Sequence, residues 1–407
     1  VNAPHILIAG GGVGGLTLAL ALHARGIGAT VFEAASEVRE LGVGINTLPH
    51  AIGELAALGL LPALDAVAIR TRELRYLNRF GQLVWAEPRG TWAGHAVPQF
   101  SIHRGRLHGV LWRAAVERLG AARVLAGRRL ASFEQDAAGV TARFEDGSTA
   151  RGDALVGADG IHSRLRALLH PADGGISWQG IFMWRGAADW PAFEGGDVML
   201  IAGDMDEKLV LYPIGACSTP DRRLTNWVVC ARLGDGTQPP PRREDWSREG
   251  SLGDVLPRIA RFKIPWLDVA AMVQATEKFW EYPMCDRDPL PWWTQARVTL
   301  LGDAAHPMYP VGSNGASQAV LDAVALADAL ATQPVPAALA AYEAARRPAT
   351  KAVVEANRKG GPERVVDEVS RRAPDGFARI EDVIAAEELA AIAKGYAQMA
   401  GFGVARP

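Results

Sequence analysis

Cysteine is scarce in this chain: Cys217, Cys230 and Cys285 are the whole supply, an odd number without the close paired spacing of a zinc or redox motif. That excludes a disulfide-stapled scaffold and points to a reducing, cytoplasmic setting. Neither sign of charge is in excess, since 43 lysines and arginines stand against 45 acidic residues for a net charge of −2. Without a basic surplus nothing draws the chain to a phosphate backbone, so nucleic acid is not an expected partner. No apolar run has the roughly 18 to 20 unbroken residues of a membrane span. The nearest candidate, His5 to Leu22, is broken by glycines between positions 10 and 15 and has no lysine or arginine before it. It reads as a buried strand and a helix, not as a signal peptide, and membrane insertion is not expected. Internal repeats, low-complexity tracts, a Ser/His/Asp triad, paired carboxylates and metal-ligand spacing are also lacking in the linear sequence. With 49% hydrophobic and 22% charged residues, the 407-residue chain has the composition of an ordinary globular protein. A cofactor must carry whatever chemistry it performs.

What is present begins as a βαβ unit: a strand at His5 to Ala9, a helix from Val13 to Ala24 and a second strand at Ala29 to Glu33. Helical apolar spacing recurs at Leu48 to Leu58 and Leu107 to Leu119, and short strands are expected at Val140 to Phe144 and Ala154 to Gly157. Between about Gly174 and Met284 the texture changes. Runs such as Ile181 to Trp190, Val198 to Ala202, Leu209 to Ile214 and Asn226 to Ala231 follow one another without long helices, the pattern of a mostly antiparallel sheet. Seven of the twelve tryptophans fall here (Trp178, Trp184, Trp190, Trp227, Trp246, Trp266 and Trp280), each either core filler or pocket wall. The α/β texture returns with a strand at Arg297 to Leu301 and helices at Ser313 to Leu330 and Ala337 to Arg358, and a last helical stretch runs from Ile380 to Met399.

Three motifs carry chemistry. Gly10-Gly11-Gly12-Val13-Gly14-Gly15 fits G-x-G-x-x-G directly after an apolar strand and at the opening of a helix. Gly10 permits a tight turn, Gly12 lets a pyrophosphate approach the backbone, and Gly15 lets helix and strand pack closely, while the helix N-terminus offers free N–H groups. Glu33 follows Gly15 by 18 residues, near the spacing of an acid that accepts the ribose hydroxyls, which favours FAD or NAD over NADP. Gly302-Asp303 ends a second apolar strand and leads through Pro310-Val311-Gly312-Ser313-Asn314-Gly315 into a helix, a second nucleotide-binding feature that an NAD-only enzyme does not need. Gly157-Ala158-Asp159-Gly160 ends a third strand.

In this order and spacing the three motifs resemble the single-component, class A flavoprotein aromatic hydroxylases, the para-hydroxybenzoate and salicylate hydroxylase superfamily, over nearly the whole chain. Five further stretches, Glu37 to Asn46, Ser101 to Leu107, Met183 to Gly186, Tyr282 to Pro291 and Asn314 to Ala319, resemble the branch that contains the phenazine hydroxylase acting on 5-methylphenazine-1-carboxylate. The resemblance implies an α/β fold: a Rossmann-type FAD-binding domain from residues 1–173 and 285–358, a mostly antiparallel β-sheet substrate domain at 174–284, and a C-terminal helical segment at 359–407. It also implies roles. Gly10, Gly12, Val13, Gly15 and Glu33 would hold the ADP half of FAD, and Leu130 would meet the adenine through its backbone. Val43 and Gly44 would lie near the isoalloxazine, and Arg104 would reach the ribityl or pyrophosphate region. Asp303 would bind the ribityl chain, and the amides of Gly315, Ala316 and Ser317 would face the flavin pyrimidine edge. Asp159 and Gly160 belong to a motif linked to both FAD and the nicotinamide donor, and Pro310 would line the reaction chamber. Many relatives carry Asn where Ser317 stands, which leaves a backbone role there and puts a side-chain role in doubt.

The function implied is FAD-dependent monooxygenation of a small aromatic or heteroaromatic substrate, with NADH or NADPH reducing the non-covalent flavin and O₂ reacting through a flavin C4a-hydroperoxide. Only one G-x-G-x-x-G is present, so the nicotinamide donor should dock transiently, and the enzyme is expected as a monomer or homodimer. Trp184, Arg185, Tyr212, Trp227 and Tyr282 are candidate chamber residues; Arg185 is either the partner of a substrate carboxylate or paired with an acid inside the sheet. His306 reads as structural and not as a general base. Two other readings stay open: a flavin halogenase, for which Lys263-Ile264-Pro265-Trp266 does not match the W-x-W-x-I-P element, and a non-catalytic flavin-binding redox sensor.

Overall fold

The apolar run Ile6-Leu7-Ile8-Ala9 leaves no polar face to turn to water, and it lies in the middle of a five-stranded parallel sheet. Across that sheet the strands run Val298–Leu300, Ala154–Gly157, His5–Ala9, Gly28–Phe32 and Val124–Leu125, every pair parallel. Three distant parts of the sequence therefore end side by side, and each of the three motifs leaves this sheet at the C-terminal end of its strand, where α/β sheets bind ligands. Helix Val13–Ala24 packs between Arg104–Leu119 and Gly315–Thr332 and is buried on every side, which suits its almost wholly apolar sequence. The structure, a computed structural model, describes residues 4–37, 43–217, 219–241 and 248–403. Residues 38–42 of the Glu37 to Asn46 stretch, and Trp246, lie outside the described residues.

The second layer is a seven-stranded sheet in the order Phe279–Asp286, Ser177–Pro191, Arg222–Arg232, Glu207–Ala216, Val198–Gly203, Glu73–Leu77, Leu83–Pro88. Its pairs are antiparallel except that Glu73–Leu77 joins Val198–Gly203 in parallel. Those last two strands come from the region assigned by sequence to the cofactor half, so the sheet crosses the boundary expected at residue 174. With Leu74 and Tyr76 as the only pair of large apolar residues on one face of Glu73–Leu77, its alternation is too brief to stand out.

Register sorts the sheet's two faces. Trp184, Leu200, Leu209, Leu211, Trp227 and Phe279 point one way and pack against helices Leu252–Ile259 and Val269–Gln274. Met183, Arg185, Cys230, Tyr212, Ile201 and Tyr76 point the other way, towards the parallel sheet. A small sheet of Gly44–Thr47, Phe100–His103 and Ala68–Arg70 is pressed against the middle of this inner face. Helices Arg364–Arg372 and Ala386–Met399 cover its far end through Val365, Val366, Val369 and Leu389. The last helix is shorter than the expected Ile380 to Met399, with Ile380–Asp382 forming a separate single turn. Among the described residues no helix is long and apolar enough to cross a membrane, and no cluster of His, Cys, Asp and Glu could hold a metal ion.

Candidate active site

The glycine turn has two closed sides and one open one. A Cβ on Gly10, whose φ is +112°, would fall 2.2 Å from the Ala158 carbonyl oxygen, and one on Gly15 would fall 2.0 Å from the Gly10 carbonyl oxygen. Gly12, by contrast, has nothing within 4 Å of that position. A phosphate group can reach the backbone there, at the start of a helix whose first N–H groups have no intrahelical partner. Beside it the Glu33 carboxylate is held by two backbone donors, the Gly11 N–H on Oε2 and the Ala35 N–H on Oε1, each at 2.7 Å. Each oxygen keeps a lone pair for a ribose hydroxyl. Leu130 begins a neighbouring strand and is buried.

Asp303 and Arg104, 199 positions apart in the chain, come close enough for the Arg104 charge to act on the Asp303 carboxyl. The Asp303 side chain is reachable by solvent yet walled by protein, and burial pushes its pKa up, with His306 and Arg104 opposing the shift and Asp322 adding to it. Arg104 opens helix Arg104–Leu119, and its backbone N–H bonds the Val43 carbonyl at 2.9 Å. Behind Asp303 a buried network fixes the loop. Asp322 takes His306 Nε2 at 2.5 Å and the Gly302 N–H at 3.1 Å on one oxygen, and Arg346 Nε at 2.7 Å on the other. His306 and Arg346 keep Asp322 below the ordinary carboxylate range despite its burial. His306 is thus a buried partner of Asp322, the structural part expected for it.

Arg166, 1% exposed, spans three segments: its guanidinium bonds the Ala304 and Ala305 carbonyls, the Asp288 carbonyl and the Asp173 carboxylate. Asp159 bonds within its own turn. Its oxygens accept from the Ser163 hydroxyl and from the Arg164 and Leu165 N–H groups, capping the short helix Arg164–Leu169, while Gly160 makes the turn with φ +78°. That motif holds the position of Arg166, and through it the loop that carries Asp303.

After Pro310 the chain passes through Gly312 and Ser313, both with positive φ, before helix Gly315–Thr332 begins. Ser313 is a strained choice for that region. The Ser317 hydroxyl accepts the Leu48 N–H at 3.1 Å, so its side chain does have a role, in tying this helix to the chain after Gly44–Thr47. Tyr396, from the last helix, accepts from Asn314 Nδ2 at 2.8 Å and donates to Asn357 Oδ1 at 2.7 Å.

Facing this loop, Gly44 is squeezed onto the sheet: a Cβ would lie 2.5 Å from the Tyr212 ring, its N–H donates to Asn226 Oδ1 at 2.7 Å, and its carbonyl accepts from Arg185 Nη2 at 2.6 Å. Arg185 also donates to the Tyr282 hydroxyl at 2.9 Å, and burial holds the Tyr212 phenol up at about 12, with the Arg185 cation opposing. Among the described residues no carboxylate pairs with Arg185 in the sheet. Arg185, Tyr212 and Tyr282 are therefore brought together, whereas Trp184 and Trp227 are corrected out of the chamber: they lie on the outer face, where their indole N–H groups bond Glu281 and Thr276. A tryptophan's position in a strand cannot be assigned to a face until the register is known. Next to Gly312 and Ser313 a small cavity of about 30 Å³, room for about one water, lies between the loop, the inner face and the last helix.

These residues fit the FAD that the sequence implies. The open Gly12 backbone and the Glu33 and Asp303 carboxylates stand at the C-terminal ends of strands in one parallel sheet, with the N-terminus of helix Val13–Ala24 beside the first. Comparison with known proteins agrees. A family model described as an FAD binding domain matches residues 4–357. A phenazine 1,6-dicarboxylic acid hydroxylase of Lysobacter antibioticus is 49% identical over 363 residues, 87% of this chain and 89% of the relative. A salicylate hydroxylase of Pseudomonas putida is 32% identical over 374 residues, 85% of this chain and 82% of the relative. Among solved structures, Klebsiella pneumoniae HpxO complexed with FAD and uric acid superposes with a TM-score of 0.78 at 25% identity, covering 98% of this chain and 97% of that one.

Proposed function

The chain belongs to the FAD-binding-domain family, and from that premise we propose that it is an aromatic monooxygenase that hydroxylates a fused heteroaromatic carboxylic acid of the phenazine type. FAD-dependent aromatic hydroxylation is the activity of the family branch it falls in, and neither the halogenase nor the redox-sensor reading finds support. Bound FAD supplies the redox chemistry, taking electrons from NADH or NADPH and activating O₂. The chain's own residues bind and orient. Glu33 accepts from the ribose hydroxyls, the Gly12 and Val13 backbone lies along the pyrophosphate, and Leu130 meets the adenine. Asp303 and Arg104 take the ribityl region, Val43 and Gly44 border the ring, and the amides of Gly315, Ala316 and Ser317 stabilise negative charge on its pyrimidine edge. Asp159 and Gly160 act through Arg166, and Pro310 belongs to the chamber wall.

On this reading the parallel sheet with its helices is the cofactor half, and the inner face of the seven-stranded sheet is the substrate side. None of the described cysteines forms a disulfide, which suits a reducing, cytoplasmic setting. The observation that carries the substrate class is the 49% identity, over 87% of this chain, with a phenazine 1,6-dicarboxylic acid hydroxylase. To test it, the holoenzyme is given NADH or NADPH, O₂ and a panel of phenolic, quinoline and phenazine acids. Faster NAD(P)H oxidation with a product 16 mass units heavier is expected for the phenazine acids; turnover of simple phenols alone would refute the assignment.

A further inference from the structure

Lys208 and Glu363 form an ion pair shut away from water: each residue is 3% exposed, and the Lys208 ammonium donates to Glu363 Oε2. Lys208 stands on strand Glu207–Ala216, opposite Cys230 on the inner face of the seven-stranded sheet, with Met205 Sδ 3.8 Å from its nitrogen. Glu363 ends the single turn Gly361–Glu363, which follows helix Val335–Arg358. Burial works against the lysine's charge, yet Glu363 outweighs it and holds the Lys208 pKa above its ordinary value. Such a pair is seldom the most stable way to join two segments, since apolar side chains of similar volume often do so at no loss.

What apolar side chains could not supply is the second oxygen. Glu363 Oε1 accepts the Gly312 N–H at 3.4 Å, a long bond that reaches the turn Val311–Ser313. Gly312 and Ser313 have φ of +66° and +58°, and a non-glycine residue stays in that region where its surroundings dictate it. The surroundings here are close. A Cβ on Gly312 would fall 2.4 Å from the Tyr396 hydroxyl, and one on Gly361 would fall 2.9 Å from Val311 Cγ1. The turn is thus seated on the C-terminal segment, and Lys208 fixes Glu363 from the sheet. Helix Gly315–Thr332 begins two residues after Ser313, so the direction of its first free N–H groups follows from how the turn is held.

We propose that Lys208 and Glu363 are positioning residues for the flavin: the pair holds the Gly312–Ser313 turn from the seven-stranded sheet and so aims the amides of Gly315, Ala316 and Ser317 at the pyrimidine edge. The inference deepens the proposed function and rests on the place given there to those amides. Aligned N–H groups favour the negative charge that the ring gains on reduction, so the quantity the pair sets is the reduction potential of the bound flavin.

Potentials are measured for the FAD-loaded wild type and for two double variants, Lys208→Met with Glu363→Leu and Lys208→Met with Glu363→Gln. Both remove one charge of each sign, so net charge is unchanged and no unpaired ion is left in the interior. Melting temperature and FAD content should stay near wild-type values in both. The Leu form has no acceptor for Gly312, and its reduced flavin should be disfavoured about tenfold, a potential about 30 mV more negative for a two-electron couple. The Gln form keeps an acceptor and should recover most of that difference. A third variant, Glu363→Asp, retains both charges but draws the carboxylate back from Gly312, and its potential should move in the same direction as that of the Leu form. A wild-type potential in the Leu form or in Glu363→Asp, or equal shifts in the two double variants, would overturn the positioning role. These potentials need no substrate, so failure of the wild-type holoenzyme to hydroxylate any phenazine acid would count against the proposed function alone.

Discussion

Asp303 stands at the meeting of two demands: it must remain ionised to accept from a sugar hydroxyl, yet protein surrounds it enough to raise its pKa. Arg104 and His306 counter that shift, and Asp322, itself held by Arg346, fixes the Gly302 amide beside it. Replacing Asp303 with Ala should weaken FAD binding about tenfold to a hundredfold, the worth of a charge-assisted hydrogen bond of roughly 1.5 to 3 kcal/mol. In the flavin-loaded fraction more of the NAD(P)H consumed should end as hydrogen peroxide, because a misplaced ring meets substrate less often. Peroxide and product are measured in parallel at saturating FAD; wild-type affinity together with wild-type coupling would show that Asp303 does not touch the cofactor.

Glu33 offers a simpler case. Its Ala variant should retain the fold and lose FAD affinity, since the Gly11 and Ala35 amides lose their acceptor along with the ribose, and unchanged retention on gel filtration would exclude the role. Residues of this kind are legible in sequence because local backbone geometry demands them: Gly10 and Gly15 cannot carry a side chain, and Glu33 sits a fixed distance beyond them. Arg166 and Asp322 were not legible, since their partners lie 122 to 139 residues away for Arg166's carbonyls and 16 to 24 for Asp322. Nothing in the local pattern of an arginine in a short helix announces a staple.

At the scale of elements, the last helix, Ala386–Met399, matters for what it clamps. The Tyr396 hydroxyl joins Asn314, at the start of helix Gly315–Thr332, to Asn357 in helix Val335–Arg358. Tyr396→Phe would take the donor from Asn357 Oδ1 and leave Asn314 Nδ2 only its longer bond to the Gly312 carbonyl, at a cost of roughly 1 to 3 kcal/mol, readable as a lower urea midpoint. An unchanged midpoint would mean that water or a rearrangement replaces the phenol.

Helix Arg364–Arg372 makes a pH-dependent contact. Asp367 accepts the Met205 N–H at 2.7 Å, and its pKa is raised to about 6, chiefly by burial. Between the unfolded value near 3.8 and about 6 the folded protein keeps this proton and the unfolded chain releases it, so ionisation costs stability as pH rises through that window. Asp367→Asn, which keeps the acceptor oxygen, should therefore stabilise the protein at pH 8 by on the order of 1 kcal/mol. The gain should fade as pH drops through 6 towards 4; an equal effect at pH 4 and pH 8 would refute the assignment. The long strands Ser177–Pro191 and Arg222–Arg232 were legible because their apolar runs are long, although which face each tryptophan occupies was not. Strands Glu73–Leu77 and Leu83–Pro88 escaped because the sheet, not their own sequence, makes them strands.

Across the whole molecule, two sheets are built from interleaved parts of the chain, and the glycine turn, Glu33 and Asp303 all stand at the C-terminal ends of strands in the parallel one. Lys208 pairs with Glu363 and Asp286 with Arg358, ion pairs that tie the seven-stranded sheet to the C-terminal segment and to the end of helix Val335–Arg358. A molecule arranged in this way should be purified yellow, and removal of FAD should lower its stability by about 2.7 kcal/mol for every case where free FAD had stood at a hundred times its Kd. The central claim is most directly tested by isotope: holoenzyme, NAD(P)H and a phenazine carboxylic acid are incubated under ¹⁸O₂, and the product is analysed by mass spectrometry. The account predicts a single ring hydroxyl carrying one ¹⁸O atom. A product with oxygen from water, or NAD(P)H oxidation that never yields a hydroxylated ring with any phenazine acid, would contradict it.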